Sequence, residues 1–116
     1  MGTLVYAGSS EYSLDDRTLA HVKIAVAHAL RHGEGFFLSW DRSTDEGSGR
    51  VSLWLAPAIP LAFRFAEPRS PKLSLPWLEA LRRAAESEDG LRLFAEGTHD
   101  PDEPAARPAA PSAREA

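Results

Sequence analysis

Cysteine is absent from this chain of 116 residues, and its absence removes several chemistries at once. Without thiols the chain has no disulfide, no thiolate zinc site and no cysteine nucleophile. Small secreted domains commonly depend on disulfides, so the composition favours a cytoplasmic location.

Long apolar runs and lysine are also scarce. No stretch approaches the ~20 apolar residues of a membrane span, and the N-terminus, MGTLVYAGSS, lacks the basic region of a signal peptide. Two of the 13 basic residues are lysine, and the formal net charge is −4. Nucleic-acid affinity comes largely from neutralising phosphates, so this charge disfavours a general nucleic-acid binder. We therefore expect no membrane partner and do not favour nucleic acid.

The chain contains one domain followed by a polar tail. Its length admits a single domain. The segment from residue 98 onward, THDPDEPAARPAAPSAREA, has four prolines and no large apolar residue. Such a segment cannot bury enough surface to offset the entropy of ordering it. We predict a folded domain over residues 1–97 and a disordered Pro/Ala-rich tail over residues 98–116.

Hydrophobic periodicity within the domain predicts an α+β fold. One helix is expected to begin at an N-cap formed by Asp15 or Asp16 and to end near His32, before Gly33. A second is expected to begin at an N-cap at Ser74. The strands are predicted in six segments: residues 3–7, 11–14, 34–42, 50–57, 61–65 and 91–96. We expect a mainly antiparallel sheet carrying both helices on one face.

The other face of that sheet is the strongest candidate for binding. Side chains alternate between the two faces of a strand, so Phe37, Trp54 and Arg64 are predicted to point away from the core. Aromatic rings and a guanidinium together can seat a partner protein or stack on bases. We predict that this face binds an unknown protein partner or a second copy of the chain. The alternative is that other segments of the chain cover it.

Residues 87–92, SEDGLR, differ at one position from K-x-D-G-x-R, the nucleotidyl-transfer motif of ATP-dependent DNA ligases. Ser87 stands at the position of the lysine, and a serine cannot form the covalent lysine–nucleotide intermediate. The segment is instead predicted to end the second helix, with Gly90 as its left-handed cap.

Three histidines, His21, His28 and His32, fall close together on the wheel of the first helix. They lie away from its apolar stripe, so the spacing predicts a solvent-exposed histidine face. Two of them, at positions i and i+4, are too few ligands for a zinc site without further partners. No metal, cofactor or catalytic residue is assigned.

Five segments occur in order along residues 1–97: MGTLVYAG, LDDRTLAHVKIAVAHALRHGEGFFLSW, VSLWLAPAIPLAF, WLEALRRAA and GLRL. Together they resemble a family of small actinobacterial proteins that carry a domain of unknown function and often bear the label ATP-dependent DNA ligase. The resemblance implies a ligase-associated or DNA-binding accessory role as the alternative function. The residues themselves favour a small, cytoplasmic, non-catalytic binding or interaction module.

Overall fold

The computed structural model describes residues 1–42 and 47–97, which form two helices and six strands. In chain order the elements are β1 (Gly2–Tyr6), β2 (Ser10–Leu14), α1 (Asp16–Leu30), β3 (Phe36–Asp41), β4 (Arg50–Leu55), β5 (Leu61–Arg64), α2 (Leu75–Ala85) and β6 (Leu91–Arg92). The tail predicted to be disordered, residues 98–116, lies outside the described residues. Within the described residues, no helix has the length and hydrophobicity needed to cross a membrane.

Both predicted N-caps are confirmed. The Asp15 carboxylate accepts hydrogen bonds from the Thr18 amide at 3.1 Å and from the Thr18 hydroxyl at 2.6 Å. The Ser74 hydroxyl accepts a hydrogen bond from the Trp77 amide at 3.3 Å. Each side chain satisfies an amide that the first turn of a helix would otherwise leave unpaired.

The strands form two three-stranded sheets, in the orders β2-β1-β5 and β4-β3-β6. All pairings among the described strands are antiparallel except that of β3 with β6. The mainly antiparallel α+β class is therefore confirmed. The strands divide into two sheets because β5 pairs with β1, where Leu61 lies opposite Tyr6. It does not pair with β4, the strand that precedes it in the chain.

Aromatic side chains join the two sheets. The ring of Tyr12, on β2, meets the ring of Trp40, on β3, edge to face at a centroid distance of 5.6 Å. The Tyr6 hydroxyl, on β1, donates a 2.8 Å hydrogen bond to the backbone carbonyl of Trp54, on β4. These contacts fix the position of one sheet relative to the other.

A single core lies between the helices and the inner faces of the strands. The helices pack against each other, α1 also against β1 and α2 also against β3 and β6. The buried residues that form this core are Leu4, Leu19, Val22, Ala25, Val26, Phe36, Leu38, Leu53, Leu55, Trp77, Leu78, Leu81, Ala84, Ala85 and Leu91. The inner face of the β4-β3-β6 sheet is thus covered, and the other face carries the exposed side chains of Phe37 and Trp54.

Candidate functional site

The outer face of the β4-β3-β6 sheet is the surface that points away from the core. Alternation along β3 and β4 buries Leu38 and Leu53, at 0% and 7% exposure, and turns their neighbours outward. Phe37 is 48% exposed and Trp54 is 44% exposed. The two therefore stand in solvent on the same surface.

Phe37 and Trp54 form a pair that the backbone holds in place. They lie directly opposite each other in the β3–β4 register, and their rings meet edge to face at 5.1 Å. The indole lies over Gly35, where an added Cβ would sit 2.4 Å from the Trp54 Cζ2 atom. The Trp54 carbonyl is fixed by Tyr6, so ring and backbone are both constrained. The pair is a preorganised apolar platform.

An acidic groove begins at one side of this pair. Its volume is about 460 Å³, and its lining includes both rings together with Glu34, Glu86 and Glu88. The lining contains no lysine or arginine. Within residues 1–42 and 47–97, none of these three carboxylates forms an ion pair or accepts a hydrogen bond. The groove therefore combines aromatic surface with unpaired negative charge.

A second groove, of about 320 Å³, also borders Phe37. It is lined by two arginines, Arg50 and Arg92, and also by Asp89. At its floor the hydroxyl oxygens of Ser39 and Ser52, also lining residues, lie 2.9 Å apart. Its charge is mixed, in contrast to the acidic groove.

Arg64 does not join the aromatic pair. It lies on β5, in the other sheet, where Thr3 is its register partner. Its guanidinium approaches the Glu11 carboxylate to 3.2 Å. The structure thus brings together two of the three residues predicted for the binding face.

The prediction that His21 is solvent-exposed is wrong, because its side chain is completely buried. Its Nε2 atom accepts a 2.8 Å hydrogen bond from the Ser74 amide. The proton of the neutral ring is then on Nδ1, which donates to the Arg17 carbonyl at 2.7 Å. The ring also packs on Trp77 at a centroid distance of 4.4 Å. The error arose because the wheel shows α1 alone, whereas the start of α2 covers this side of it.

His32, just after α1, is exposed as predicted, whereas His28, in its last turn, is half-buried; their rings lie 5.1 Å apart. The Arg82 guanidinium lies 3.3 Å from the ring nitrogens of His28. No group of three or more potential metal ligands occurs in the described part of the chain. His32 borders the acidic groove.

Residues 87–90 form a turn after α2. The helix ends at Ala85 with Glu86 as its C-cap, so the prediction that Gly90 caps it is wrong. The Gly90 amide donates to the Ser87 carbonyl at 3.1 Å, and the Ser87 hydroxyl donates to the Ala84 carbonyl at 2.7 Å. Gly90 has a φ of 81°, and an added Cβ would lie 2.5 Å from the Phe37 carbonyl oxygen. Ser87 therefore has a structural role at the position where a ligase has its lysine.

The polar residues that begin α1 bind distant parts of the same chain. The Asp16 carboxylate accepts 3.0 Å hydrogen bonds from the amides of Ala66 and Glu67, and these bonds lower its pKa. Arg17 donates two 2.8 Å hydrogen bonds to Glu96, whose pKa is lowered mainly by that contact. Asp16, Arg17 and His21 together form what we call the α1 clamp. The clamp connects α1 to the β5–α2 segment and to the end of the domain.

Sequence reasoning did not find the three glutamates or Arg50. Arg50 follows from the same alternation that exposes Trp54, four residues away on one strand. The glutamates carry no such signal, because two of them come from the α2–β6 turn and the third precedes β3. The parallel pairing of β6 with β3 places these segments at the same end of the sheet.

Comparison with known proteins identifies the family of the domain. A family model described as "Domain of unknown function (DUF7882)" matches residues 1–96. Searches against curated proteins and against solved structures gave no match. The match covers all of the described elements and confirms the family resemblance as a domain of unknown function.

Proposed function

The chain belongs to this family of domains of unknown function, and we propose that it is a non-catalytic binding module that seats a partner protein on the outer face of the β4-β3-β6 sheet. The observation that carries the proposal is the exposed Phe37–Trp54 pair. A cytoplasmic location, as favoured by the cysteine-free sequence, is part of the same proposal.

The pair has the properties of an interface anchor. In the described residues, Phe37 and Trp54 are the exposed apolar aromatic side chains, and they contact each other. Tryptophan is among the residues that most often dominate binding energy at interfaces. A ring already fixed over Gly35 loses little conformational entropy when a partner covers it.

A non-catalytic role is supported by the hydroxyl groups of the same face. The Ser39 and Ser52 hydroxyls bond to each other rather than to a histidine or a carboxylate. A serine nucleophile requires an adjacent base to activate it.

The proposal can be tested by panning a random peptide library against immobilised full chain. We expect peptides that enrich on the wild type to be lost on Trp54→Ala. The matched control is Leu75→Ala, which removes an apolar side chain that is 69% exposed on α2. This control should retain the same peptides. Equal enrichment on all three proteins, or none on the wild type, would rule out the outer face as a binding surface.

A second copy of the chain is the other partner predicted for this face. Sedimentation velocity over a range of concentrations would detect it as an association that Trp54→Ala removes. The net charge of −4 opposes close approach of two copies. We therefore favour a different protein as partner.

DNA association is the second candidate function, and Arg50 and Arg92 beside the aromatic pair favour it. Bases can stack on aromatic side chains while arginines contact phosphates. Asp89 in the same groove and the three glutamates nearby oppose phosphate binding. Fluorescence anisotropy of a labelled oligothymidylate, with and without Arg50→Ala, separates this function from protein binding.

A further inference from the structure

We propose that the segment bound on the outer face is basic, with an arginine or lysine side chain entering the acidic groove against the Trp54 ring. This inference rests on the proposed binding function and adds the chemistry of the partner to it. It concerns the groove lined by Glu34, Glu86 and Glu88.

Two independent features of the groove select a positive charge. The carboxylates favour a cation by simple attraction, and none of them is neutralised within the described residues. The face of an indole ring also attracts a guanidinium or an ammonium group that lies within about 6 Å of its centroid. An acidic segment would satisfy neither feature, and a purely apolar one would leave the carboxylates beside a desolvated surface.

The groove is preformed rather than assembled by the partner. Its aromatic wall is fixed by the close approach of Gly35 to Trp54. Another part of its lining is fixed by the turn at Gly90, where an added Cβ would lie 2.5 Å from the Phe37 carbonyl oxygen. A volume of about 460 Å³ falls within the ~300–1,000 Å³ typical of ligand pockets, and admits one long side chain with part of its backbone.

Charge disfavours the chain's own tail and a second copy as the occupant. Residues 98–116 contain four acidic residues and two arginines, so this segment is negatively charged overall. A second copy has a net charge of −4. A basic segment of a different protein is therefore the partner that the charges fit.

The test uses the full chain labelled with ¹⁵N at its three tryptophans and observed through the indole N–H signals. Trp54→Phe identifies the Trp54 signal. The probe is a peptide of alternating arginine and glycine, compared with matched peptides in which citrulline or glutamate replaces arginine. We expect the arginine peptide to shift the Trp54 signal saturably, and the other two to leave it unchanged.

Charge-neutral variants test the role of the carboxylates. The triple variant Glu34→Gln, Glu86→Gln, Glu88→Gln should raise the Kd for the arginine peptide about tenfold, because the attraction of three exposed carboxylates for the peptide is lost. The control variant Glu11→Gln, Glu67→Gln, Glu79→Gln changes the net charge equally at positions outside the groove lining. It should change the Kd less than about twofold, since exposed charges that do not line the groove act only through salt-screened attraction.

Several results would overturn the inference. They are an unshifted Trp54 signal with the arginine peptide, equal binding of the glutamate peptide, or equal weakening in the two triple variants. Preferential binding of an oligothymidylate at Trp54 would also overturn it. If panning enriches neutral or acidic peptides that depend on Trp54, the binding function stands and the basic partner is rejected. If panning enriches nothing, both are rejected.

Discussion

The α1 clamp and the acidic groove on the outer face of the β4-β3-β6 sheet differ in whether their polar side chains bond to other parts of the chain. In the clamp, Asp16, Arg17 and His21 each bond to atoms of distant segments. In the acidic groove, Glu34 and Glu86 have no such bond to another described residue. The difference shows that a segment dense in charged residues can serve only the stability of the fold. Charged residues that are scattered in the sequence, such as these glutamates, can instead remain available to a partner.

The clamp gives the polar residues of the segment DDRTLAH, residues 15–21, a structural role. Asp15 caps α1. Asp16 bonds to the segment between β5 and α2, and Arg17 bonds to Glu96, which follows β6. Arg17 also donates to the Lys72 carbonyl. A motif of this kind resembles a catalytic site in its residue types, but here each polar group is satisfied internally.

The largest effect should come from breaking the clamp at its buried member. His21→Ala leaves the Ser74 amide without its partner, removes the side-chain bond to the Arg17 carbonyl and removes the contact with Trp77. We expect it to lower the free energy of unfolding by about 3 kcal/mol. Urea denaturation measures this loss. The control, His32→Ala, removes an exposed ring just past the other end of α1 and should cost less than about 0.5 kcal/mol. Equal losses in the two variants would contradict the buried role.

A smaller effect should follow from disturbing the support of the outer face. In Gly35→Ala the new Cβ would lie 2.4 Å from the Trp54 ring and 2.9 Å from the Leu55 carbonyl oxygen. The ring can move but the backbone cannot easily do so, and we expect a loss of about 1–2 kcal/mol. Acrylamide quenching of fluorescence should rise as the indole leaves its position. Unchanged stability and quenching would show that Gly35 does not hold the ring.

Acid should weaken the clamp by a still smaller amount, because its charged groups are reached by solvent. The pKa of Asp16 is lowered by hydrogen bonds from the Ala66 and Glu67 amides, and that of Glu96 by its bonds to Arg17. The unfolded chain then binds more protons, so the free energy of unfolding falls as pH decreases. The contribution is complete above the ordinary values of 3.8 for Asp16 and 4.5 for Glu96, and is lost as pH falls through the lowered folded values.

The measurement for this effect is the urea midpoint as a function of pH. Wild type should lose stability more steeply below about pH 4.5 than the double variant Asp16→Asn, Glu96→Gln. Parallel curves would show that these two carboxylates do not stabilise the folded state.

The smallest effect on stability is expected at Trp54. Because its ring is 44% exposed, Trp54→Ala should cost less than about 1 kcal/mol. Leu53→Ala, on the buried face of the same strand, should cost about 2–5 kcal/mol. Thermal or urea unfolding of the two variants compares them directly. A loss at Trp54 as large as that at Leu53 would mean that the ring serves the core rather than a partner.

The residues that sequence reasoning placed correctly depend on local structure. The caps at Asp15 and Ser74 require only the first turn of a helix, and the exposure of Trp54 follows from alternation along one strand. Arg64 and His21 depend instead on long-range packing. Arg64 was separated from the pair by the choice of β1 as the partner of β5, and His21 was buried by the start of α2. Periodicity within one element contains no information on which other element will cover it.

The bond between Arg17 and Glu96 also fixes where the chain leaves the domain. It holds residue 96 beside the first turn of α1, whereas His32, just past the other end of that helix, borders the acidic groove. At 1.5 Å per residue, these two points are about 20 Å apart along the helix axis. A fluorophore attached directly after Gly97 is therefore expected near the opposite end of α1 from the groove.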